Sequence, residues 1–232
     1  MSNLTITPND LGTVVLDEAE FDDVLLAFAG AVTYAEGTIL ARKQVADAIT
    51  AAADVGNTGD GTVTLASVIA GDIIPLVGAY VLEVVTAVVN GGVFKLTDPN
   101  GNIVANNLIM TVGAGVATIF TVAGMTFTVT DGATDFIVGD KFTLTVAVDG
   151  TVVPYAPAGL GGAQKPSMVL TYAVTATGAG NIASRAMVNG TVRREKLVIN
   201  GGGTITDRLV DQLRDYDIVA LSVTELNIAD NS

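Results

Sequence analysis

The sequence predicts a mainly β protein with minor α content, in which segments of α+β character flank a β-sandwich in the middle of the chain. Three observations lead to this prediction. Half of the residues are hydrophobic, and most of these are Val, Ala, Ile and Leu, many of which suit pleated sheets. Through the middle of the chain, short Val- and Thr-rich runs alternate with turn residues, which is typical of a β-sandwich. Helical periodicity is clear in one segment near the C-terminus.

The first third of the chain predicts an extended arm followed by short elements. Residues 1–20 contain scattered apolar side chains without a sustained period, which predicts an arm with little internal packing. Residues 21–29 fit either a strand or a helical turn, and residues 37–42 fit a turn that leads into a strand. The alanine-rich segment 45–55 predicts a short helix that ends at the glycine-rich break 56–61.

The middle segment predicts a series of short strands. The tetrapeptide Asp98-Pro-Asn-Gly101 predicts a tight turn, because Pro presets φ and Asn-Gly tolerates positive φ. The predicted strands are residues 62–69, 79–88, 93–97, 103–105, 108–112, 117–122, 126–130 and 141–148.

The last third mixes strands with a single helix. Thr204 and Asp207 fit a capping box with Asp in place of Glu, and apolar residues then recur at four-residue spacing through Leu213. The predicted strands of this part are residues 152–157 (extended), 168–174, 186–192, 197–199 and 218–223.

The residue inventory argues against an enzyme. The chain has no Cys and no His, which excludes disulfides, thiolate nucleophiles, imidazole bases and the common zinc ligands. Alternating oxygen ligands at 98–102 and the acidic segment 131–135 have residue types found in Ca²⁺ loops, but the remaining ligands are missing. The glycines at 201–203 precede a helix without the Lys of a phosphate loop. We therefore predict turns at all three places, with no catalytic residue, no cofactor and no metal site.

Charge and hydropathy restrict the partners. The formal net charge of −13 predicts repulsion from phosphate backbones, so no nucleic-acid partner is expected. The longest apolar stretch, 65–89, is interrupted by Asp72, Pro75 and Glu83, so no membrane span is expected. The N-terminus lacks the features of a signal peptide, which predicts synthesis in a cytoplasm.

Short motifs in two separated parts of the sequence, roughly the first 45 and the last 80 residues, follow one another in a recognisable order and spacing. They are Gly37-Thr-Ile-Leu-Ala-Arg42, Gly150-Thr-Val-Val-Pro-Tyr-Ala-Pro157 (which contains Val153-Pro-Tyr155), Pro157-Ala-Gly159, Gly162, Gln164, Val169-Leu-Thr-Tyr-Ala-Val174, Val188-Asn-Gly-Thr-Val192, Leu197-Val-Ile199 and Asp211-Gln-Leu-Arg-Asp-Tyr216. With these motifs, the two parts resemble the bacteriophage lambda-type head decoration protein family. The middle segment, through Asn90-Gly-Gly-Val-Phe94, Asp98-Pro-Asn-Gly101 and Asp131-Gly-Ala-Thr-Asp-Phe-Ile-Val-Gly-Asp-Lys-Phe142, resembles the β-domain that some tailed-phage decoration proteins carry as an insertion.

The resemblance implies a domain plan. Residues 1–20 would be the N-terminal arm, and residues 21–46 and 150–232 would form a discontinuous, β-tulip-like decoration domain. Residues 47–149 would form an inserted immunoglobulin-like β-sandwich.

The resemblance also implies a structural role on the virion. The family forms homotrimers on the outside of the expanded capsid and clamps neighbouring major capsid proteins against internal DNA pressure. Its arm docks by adding to a sheet edge of the capsid protein, and the acidity of this arm predicts a basic groove. The arm residues expected to bind the capsid are Leu4, Ile6, Pro8, Leu11, Val14 and Leu16. The expected trimer or capsid contacts are Pro154, Tyr155, Pro157, Arg193 and Arg194.

A second class of function stays open at the level of sequence. An immunoglobulin-like adhesin, or a module that binds host-surface glycans through the inserted domain, has a similar β-rich composition. Such proteins often carry a signal peptide, tandem repeats or exposed aromatic residues, and none of these features is visible in the sequence. An acid hydrolase ranks third, because no pair of carboxylates stands out.

Overall fold

The computed structural model describes residues 14–222, apart from the side chains of Asp17 and Glu18. Within this range the protein is mainly β with one α-helix, which confirms the predicted class. The elements in chain order are β1 (Val15–Phe28), β2 (Val32–Tyr34), β3 (Ile39–Arg42), β4 (Val45–Ala53), β5 (Thr62–Val68), β6 (Gly78–Val88), β7 (Gly91–Thr97), β8 (Ile103–Ile109), β9 (Ala117–Val122), β10 (Met125–Thr130), β11 (Lys141–Val148), β12 (Val152–Pro154), β13 (Pro166–Leu170), β14 (Val174–Ala176), β15 (Gly180–Arg193), a 3-10 turn (Arg194–Lys196), α1 (Asp207–Arg214) and β16 (Ile218–Leu221).

The chain divides into two compact units. Among the described residues, unit 1 contains residues 14–42, 151–157 and 165–222, and unit 2 contains residues 43–150 and 158–164. Both units are therefore discontinuous in sequence, and the chain enters unit 2 after β3, leaves it before β12 and returns to it for residues 158–164.

Unit 1 is built on a six-stranded sheet in the order β1-β12-β3-β13-β15-β16, and β1 also pairs with β15. Because β1 pairs with both β12 and β15, the first five strands of this order form a closed ring. A separate two-stranded sheet joins β2 to β14. Two apolar clusters fill this unit, one of which includes the helix residues Leu209 and Leu213.

The long strand β1 begins earlier than the sequence indicated. It pairs antiparallel with β15 from Val15 onward, so residues 15–20 are part of the sheet rather than of a separate arm. Val24, Leu26 and Phe28 point into the unit at alternate positions, as a half-buried strand requires. Of the two predicted alternatives for this segment, the strand is therefore correct and the helical turn is wrong.

Unit 2 is a single eight-stranded sheet in the order β8-β7-β6-β11-β4-β5-β10-β9. Inward-facing residues from both halves of this sheet (β8-β7-β6-β11 and β4-β5-β10-β9) share one core. The ring centroids of Phe94 in β7 and Phe120 in β9 are 6.3 Å apart in this core. An immunoglobulin domain divides its strands between two separate sheets. The two halves of the unit 2 sheet are joined at a single residue pair, Ala48 of β4 with Ser67 of β5, so the immunoglobulin-like arrangement stays a prediction.

Four local predictions are wrong. The strand predicted at 168–174 is divided between β13 and β14, because residues 171–173 are not in a strand. The segment predicted as a helix at 45–55 is strand β4, because pairing with β11 on one side and β5 on the other outweighs the helix propensity of alanine. The two strands predicted at 103–105 and 108–112 are one strand, β8. Residues 197–199 make only an isolated bridge, between Thr38 and Val198.

The helix α1 is capped differently from the prediction. Its N-cap is Thr206, whose Oγ1 accepts a hydrogen bond from the Leu209 N–H group at 3.2 Å. Thr204 lies before the helix, so the predicted capping box does not form. The four-residue spacing of apolar residues placed Ile205 in the helix. Ile205 instead precedes the helix and packs against the unit 1 core.

Candidate interaction surface

The carboxylate of Asp98 organises a turn. One of its oxygens, Oδ1, accepts hydrogen bonds from the N–H groups of Asn100 and Asn102 at 2.9 and 2.8 Å. The Gly101 N–H group donates to the Asp98 carbonyl at 3.0 Å, and Gly101 has a φ of +87°, which favours glycine. Burial raises the pKa of Asp98, but the Asn102 side-chain amide, which donates to Oδ2 at 3.1 Å, and these N–H donors outweigh it and hold the pKa below its ordinary value. The geometry is that of the predicted turn.

Asp140 holds two loops of unit 2 together. Its carboxylate accepts hydrogen bonds from the N–H groups of Thr58, Gly59 and Ile137 at 2.9, 3.0 and 3.0 Å. Burial raises the pKa of Asp140, but the three N–H groups outweigh it, so the pKa lies below its ordinary value. A buried carboxylate with three N–H donors has a structural role.

Asp131 lies in the opposite electrostatic environment. Its side chain is 4% exposed, and neither carboxylate oxygen accepts a hydrogen bond. Burial raises the pKa of Asp131, and the negative charges of Asp135 and Asp60 raise it further. The Gly132 N–H group lowers the pKa without meeting the geometry of a hydrogen bond. No three acidic side chains within residues 14–222 are arranged to hold a metal ion.

The contact residues predicted from the resemblance have different environments. Arg193 is 7% exposed and Tyr155 is buried in a unit 1 cluster, so these two side chains contribute to the fold rather than to the surface. Arg194 pairs with Asp207 at the start of α1, with Nη2 and Oδ1 2.7 Å apart. Pro154 is half-buried, whereas Pro157 is exposed.

The predicted arm residues are only partly described. Leu4, Ile6, Pro8 and Leu11 lie outside the described residues. Val14 is buried in a unit 1 core cluster, and its carbonyl accepts a hydrogen bond from the Arg193 N–H group at 2.8 Å. Leu16 lies in β1 and is half-buried. Val14 therefore contributes to the core of its own chain.

Unit 1 displays an aromatic and basic surface on the outward side of β1 and β15, which we call the Phe21 face. It comprises Phe21, Asp23, Leu25, Tyr172 and Arg185, all of them exposed. The Arg185 guanidinium lies 5.0 Å from the centroid of the Phe21 ring, which is a cation–π contact. The backbone N–H group of Arg185 donates a hydrogen bond to the Tyr172 hydroxyl at 2.8 Å. Arg185 thus links the two rings into one patch.

The composition of the Phe21 face is that of a protein contact. Phe21 and Tyr172 are 37% and 45% exposed, and aromatic residues with Arg are enriched at the centres of protein interfaces. Leu25 adds an exposed aliphatic side chain on the same strand. The Phe21 face thus contains the residue types that are enriched in protein interfaces.

Sequence reasoning missed the Phe21 face. A signal was present, since Phe21, Asp23 and Leu25 alternate with the buried Val24 and Leu26. Assigning the segment to a strand would have placed the first three residues on one outward face. The position of Arg185 against Phe21 depends on the register between β1 and β15, which the sequence pattern does not contain.

Unit 2 offers no comparable aromatic surface. All residues of unit 2 are described, and its aromatic side chains are all buried in its own core. They are Tyr80, Phe94, Phe120, Phe127, Phe136 and Phe142. Sugar binding commonly uses an exposed ring as a stacking platform, and unit 2 does not present one.

Comparisons with known proteins leave the family open. No protein-family model matches the chain, and no curated protein matches it. Among solved structures, it is similar to Xanthomonas campestris FlgL crystallised in space groups H3 and C2, with 19% and 21% identity and a TM-score of 0.34 for each. The matches cover 49% and 48% of this chain but 34% and 33% of the FlgL chains. The chain thus spans about a third of FlgL, and we draw no conclusion from a similarity this low.

Within residues 14–222, no helix is long and apolar enough to span a membrane.

Proposed function

We propose that this chain is a structural head decoration protein of a tailed bacteriophage. In this proposal it binds the outside of the expanded capsid as a homotrimer and joins neighbouring major capsid proteins against the pressure of packaged DNA. It is synthesised in the host cytoplasm and acts on the virion surface without catalysis.

The observation that carries the proposal is the position of the insertion. The motifs 37–42 and 150–157, which resemble adjacent parts of decoration proteins, are separated by more than a hundred residues of sequence. The strands that they form, β3 and β12, nevertheless pair directly, with Arg42 opposite Val152. This pairing is what a decoration domain interrupted at a hairpin would retain, since inserted domains have neighbouring ends.

The Phe21 face supports a role in binding a protein. Two linked rings, an Arg and an exposed Leu give one unit of the chain a surface suited to a protein partner. In the proposal its partner is the major capsid protein. Binding by three linked copies would strengthen a contact that is weak for one copy.

The test uses capsid shells assembled from the major capsid protein of the phage that encodes this chain. The purified full-length chain is sized by light scattering and then sedimented with expanded and with unexpanded shells. We expect a trimer that co-sediments with expanded shells and stays in the supernatant with unexpanded ones. A monomer that co-sediments with neither kind of shell would contradict the proposal.

A matched pair of variants connects the result to the Phe21 face. Arg185→Glu reverses the charge of the central residue of this face and should abolish co-sedimentation. Arg214→Glu makes the same change at the end of α1, where Arg214 pairs only with Asp211 three residues earlier among the contacts described, and should bind normally. Equal binding by both variants would remove the Phe21 face from the proposal.

A further inference from the structure

We propose that unit 2 binds unit 2 of a second copy of this chain by pairing their β9 strands edge to edge. The inference concerns unit 2 alone and goes beyond the capsid contact proposed above. It rests on the backbone of β9, on the side chains beside it and on the distribution of charge.

β9 is a regular edge strand. It is the last strand in the unit 2 sheet, and among the described residues β10 is its only neighbour in that sheet. The six residues of β9 pair with β10 without a register shift. Natural proteins commonly protect such an edge with a charged residue, a proline or a bulge, and β9 has none of these.

The other edge of the same sheet differs. The register of β8 against β7 is interrupted, so that Asn106 and Asn107 are skipped between Ala105 and Leu108. An irregular edge pairs poorly with another strand. This contrast selects β9 rather than β8 as the edge that can accept a partner.

The distribution of charge favours a second copy as the occupant. The chain carries a formal charge of −13, so two copies repel each other over much of their surfaces. No charged residue occurs between Asp98 and Asp131, a segment that contains both β8 and β9. Two copies can therefore pair through β9 without placing like charges opposite each other on the paired strands.

The side chains of β9 permit such pairing. Ile119, near the middle of the strand, is 70% exposed, and its neighbours on the same face are Ala117 and Thr121, which are small or polar. Opposite residues of an antiparallel pair share a face. A two-fold arrangement that places Ile119 opposite Ile119 of the second copy therefore places Ala117 opposite Thr121. Such an interface closes after two copies.

The absence of cysteine allows a direct test on the full-length chain. In Ile119→Cys the two introduced thiols would lie opposite each other, within the Cα separation of about 4.4–6.8 Å that a disulfide requires. Thr64→Cys is the matched control, because Thr64 and Ile119 are both exposed and both lie opposite Thr128, but β5 is an interior strand. Both variants are oxidised under the same mild conditions and separated on a non-reducing gel.

We expect covalent dimers as the main product of Ile119→Cys and at least tenfold less from Thr64→Cys. Similar yields from the two variants would overturn the inference, because contact through β9 would then not exceed random collision. A second measurement uses Ile119→Lys, which adds a charge to the edge at an exposed position. In sedimentation velocity, the mass of the unmodified chain should rise with concentration above the mass that Ile119→Lys reaches under the same conditions.

The outcomes separate this inference from the proposed function. If Ile119→Lys associates like the unmodified chain, the β9 pairing is wrong while capsid binding is unaffected. If the unmodified chain does not associate further and Ile119→Lys loses capsid binding, the occupant of the edge is the capsid protein and the inference is likewise overturned.

Discussion

The two units use their aromatic residues in opposite ways. Unit 2 buries all six of its rings, and Phe136 packs between Phe94 and Phe142 with centroid distances of 5.4 and 5.9 Å. Unit 1 keeps Phe21 and Tyr172 exposed and connects both to Arg185. The difference indicates that rings stabilise unit 2 internally, whereas part of the aromatic surface of unit 1 is available to a partner.

The edge strands of the sheets also differ between the two units. Five strands of the main sheet of unit 1 close into a ring through the pairing of β1 with β15 and leave the four-residue β16 at its edge, whereas the sheet of unit 2 leaves the six-residue β9 as a regular edge. The proposed contact of unit 1 thus uses side chains, and that of unit 2 uses backbone groups. The two kinds of contact respond to different mutations, which makes the comparison testable.

The largest expected effect comes from removing a ring from unit 2. Phe136→Ala should lower the free energy of unfolding of this unit by about 3–5 kcal/mol, because it deletes a fully buried ring that packs edge-on against two others. Hydrogen exchange measured by mass spectrometry on peptides from residues 43–150 checks this. Phe21→Ala is the matched control and should leave those peptides unchanged.

A somewhat smaller effect is expected from Asp140→Ala. The substitution leaves the N–H groups of Thr58, Gly59 and Ile137 without their acceptor and should cost about 3 kcal/mol. Thermal unfolding followed by circular dichroism at pH 7 measures the loss.

The pH dependence of Asp140 follows from the direction of its pKa shift. Because the pKa is lowered in the folded protein, the carboxylate contributes stability above its ordinary pKa of about 4, and that contribution is lost as the pH falls through the folded value. The difference between the unmodified chain and Asp140→Ala should therefore shrink in acid. A difference that stays constant from pH 7 to pH 2.5 would contradict this role.

Asp131→Asn should have the opposite sign. The pKa of Asp131 is raised in the folded protein, so the neutral carboxyl group costs little stability below its ordinary pKa. The ionised carboxylate destabilises the fold as the pH rises through the pKa of the folded state. Replacing it with a neutral amide should raise stability by about 1 kcal/mol at pH 7 and by much less below pH 4. The same thermal measurements apply, and a variant less stable than the unmodified chain at pH 7 would disprove the assignment.

The smallest effect on stability is expected from Phe21→Ala. The ring is 37% exposed, so losing its contact with Arg185 should cost about 1 kcal/mol or less. Its effect on co-sedimentation with expanded shells should exceed its effect on stability. If Phe21→Ala binds shells normally, the contrast between the aromatic residues of the two units has no functional meaning.

Local chemistry was sufficient for several elements. Strands β9 and β11 have the bounds predicted for residues 117–122 and 141–148, because alternating β-branched and polar residues between turn residues have no competing structure. The Asp98–Gly101 turn likewise follows from residue types whose backbone preferences are local.

Other elements depended on partners distant in sequence. The alanine-rich segment of β4 has helical propensity, yet β11 pairs with it from Val45 to Ala53. The environments of Asp131 and Asp140 are equally hidden in the sequence, because both residues stand beside glycine in similar loops. Only the folded chain brings three N–H groups to Asp140 and none in hydrogen-bonding geometry to Asp131.

The sequence by itself determined the mainly β class, most of the strand positions and the absence of the thiol and imidazole groups, because these follow from residue inventory and period. Tertiary structure alone decided that β3 pairs with β12 across the insertion, that Arg185 joins Phe21 to Tyr172, and that β9 is a sheet edge. The physical reason is that strand pairing brings together residues far apart in the chain. Local pattern specifies that a strand forms and which side chains share a face, but not which strand it meets.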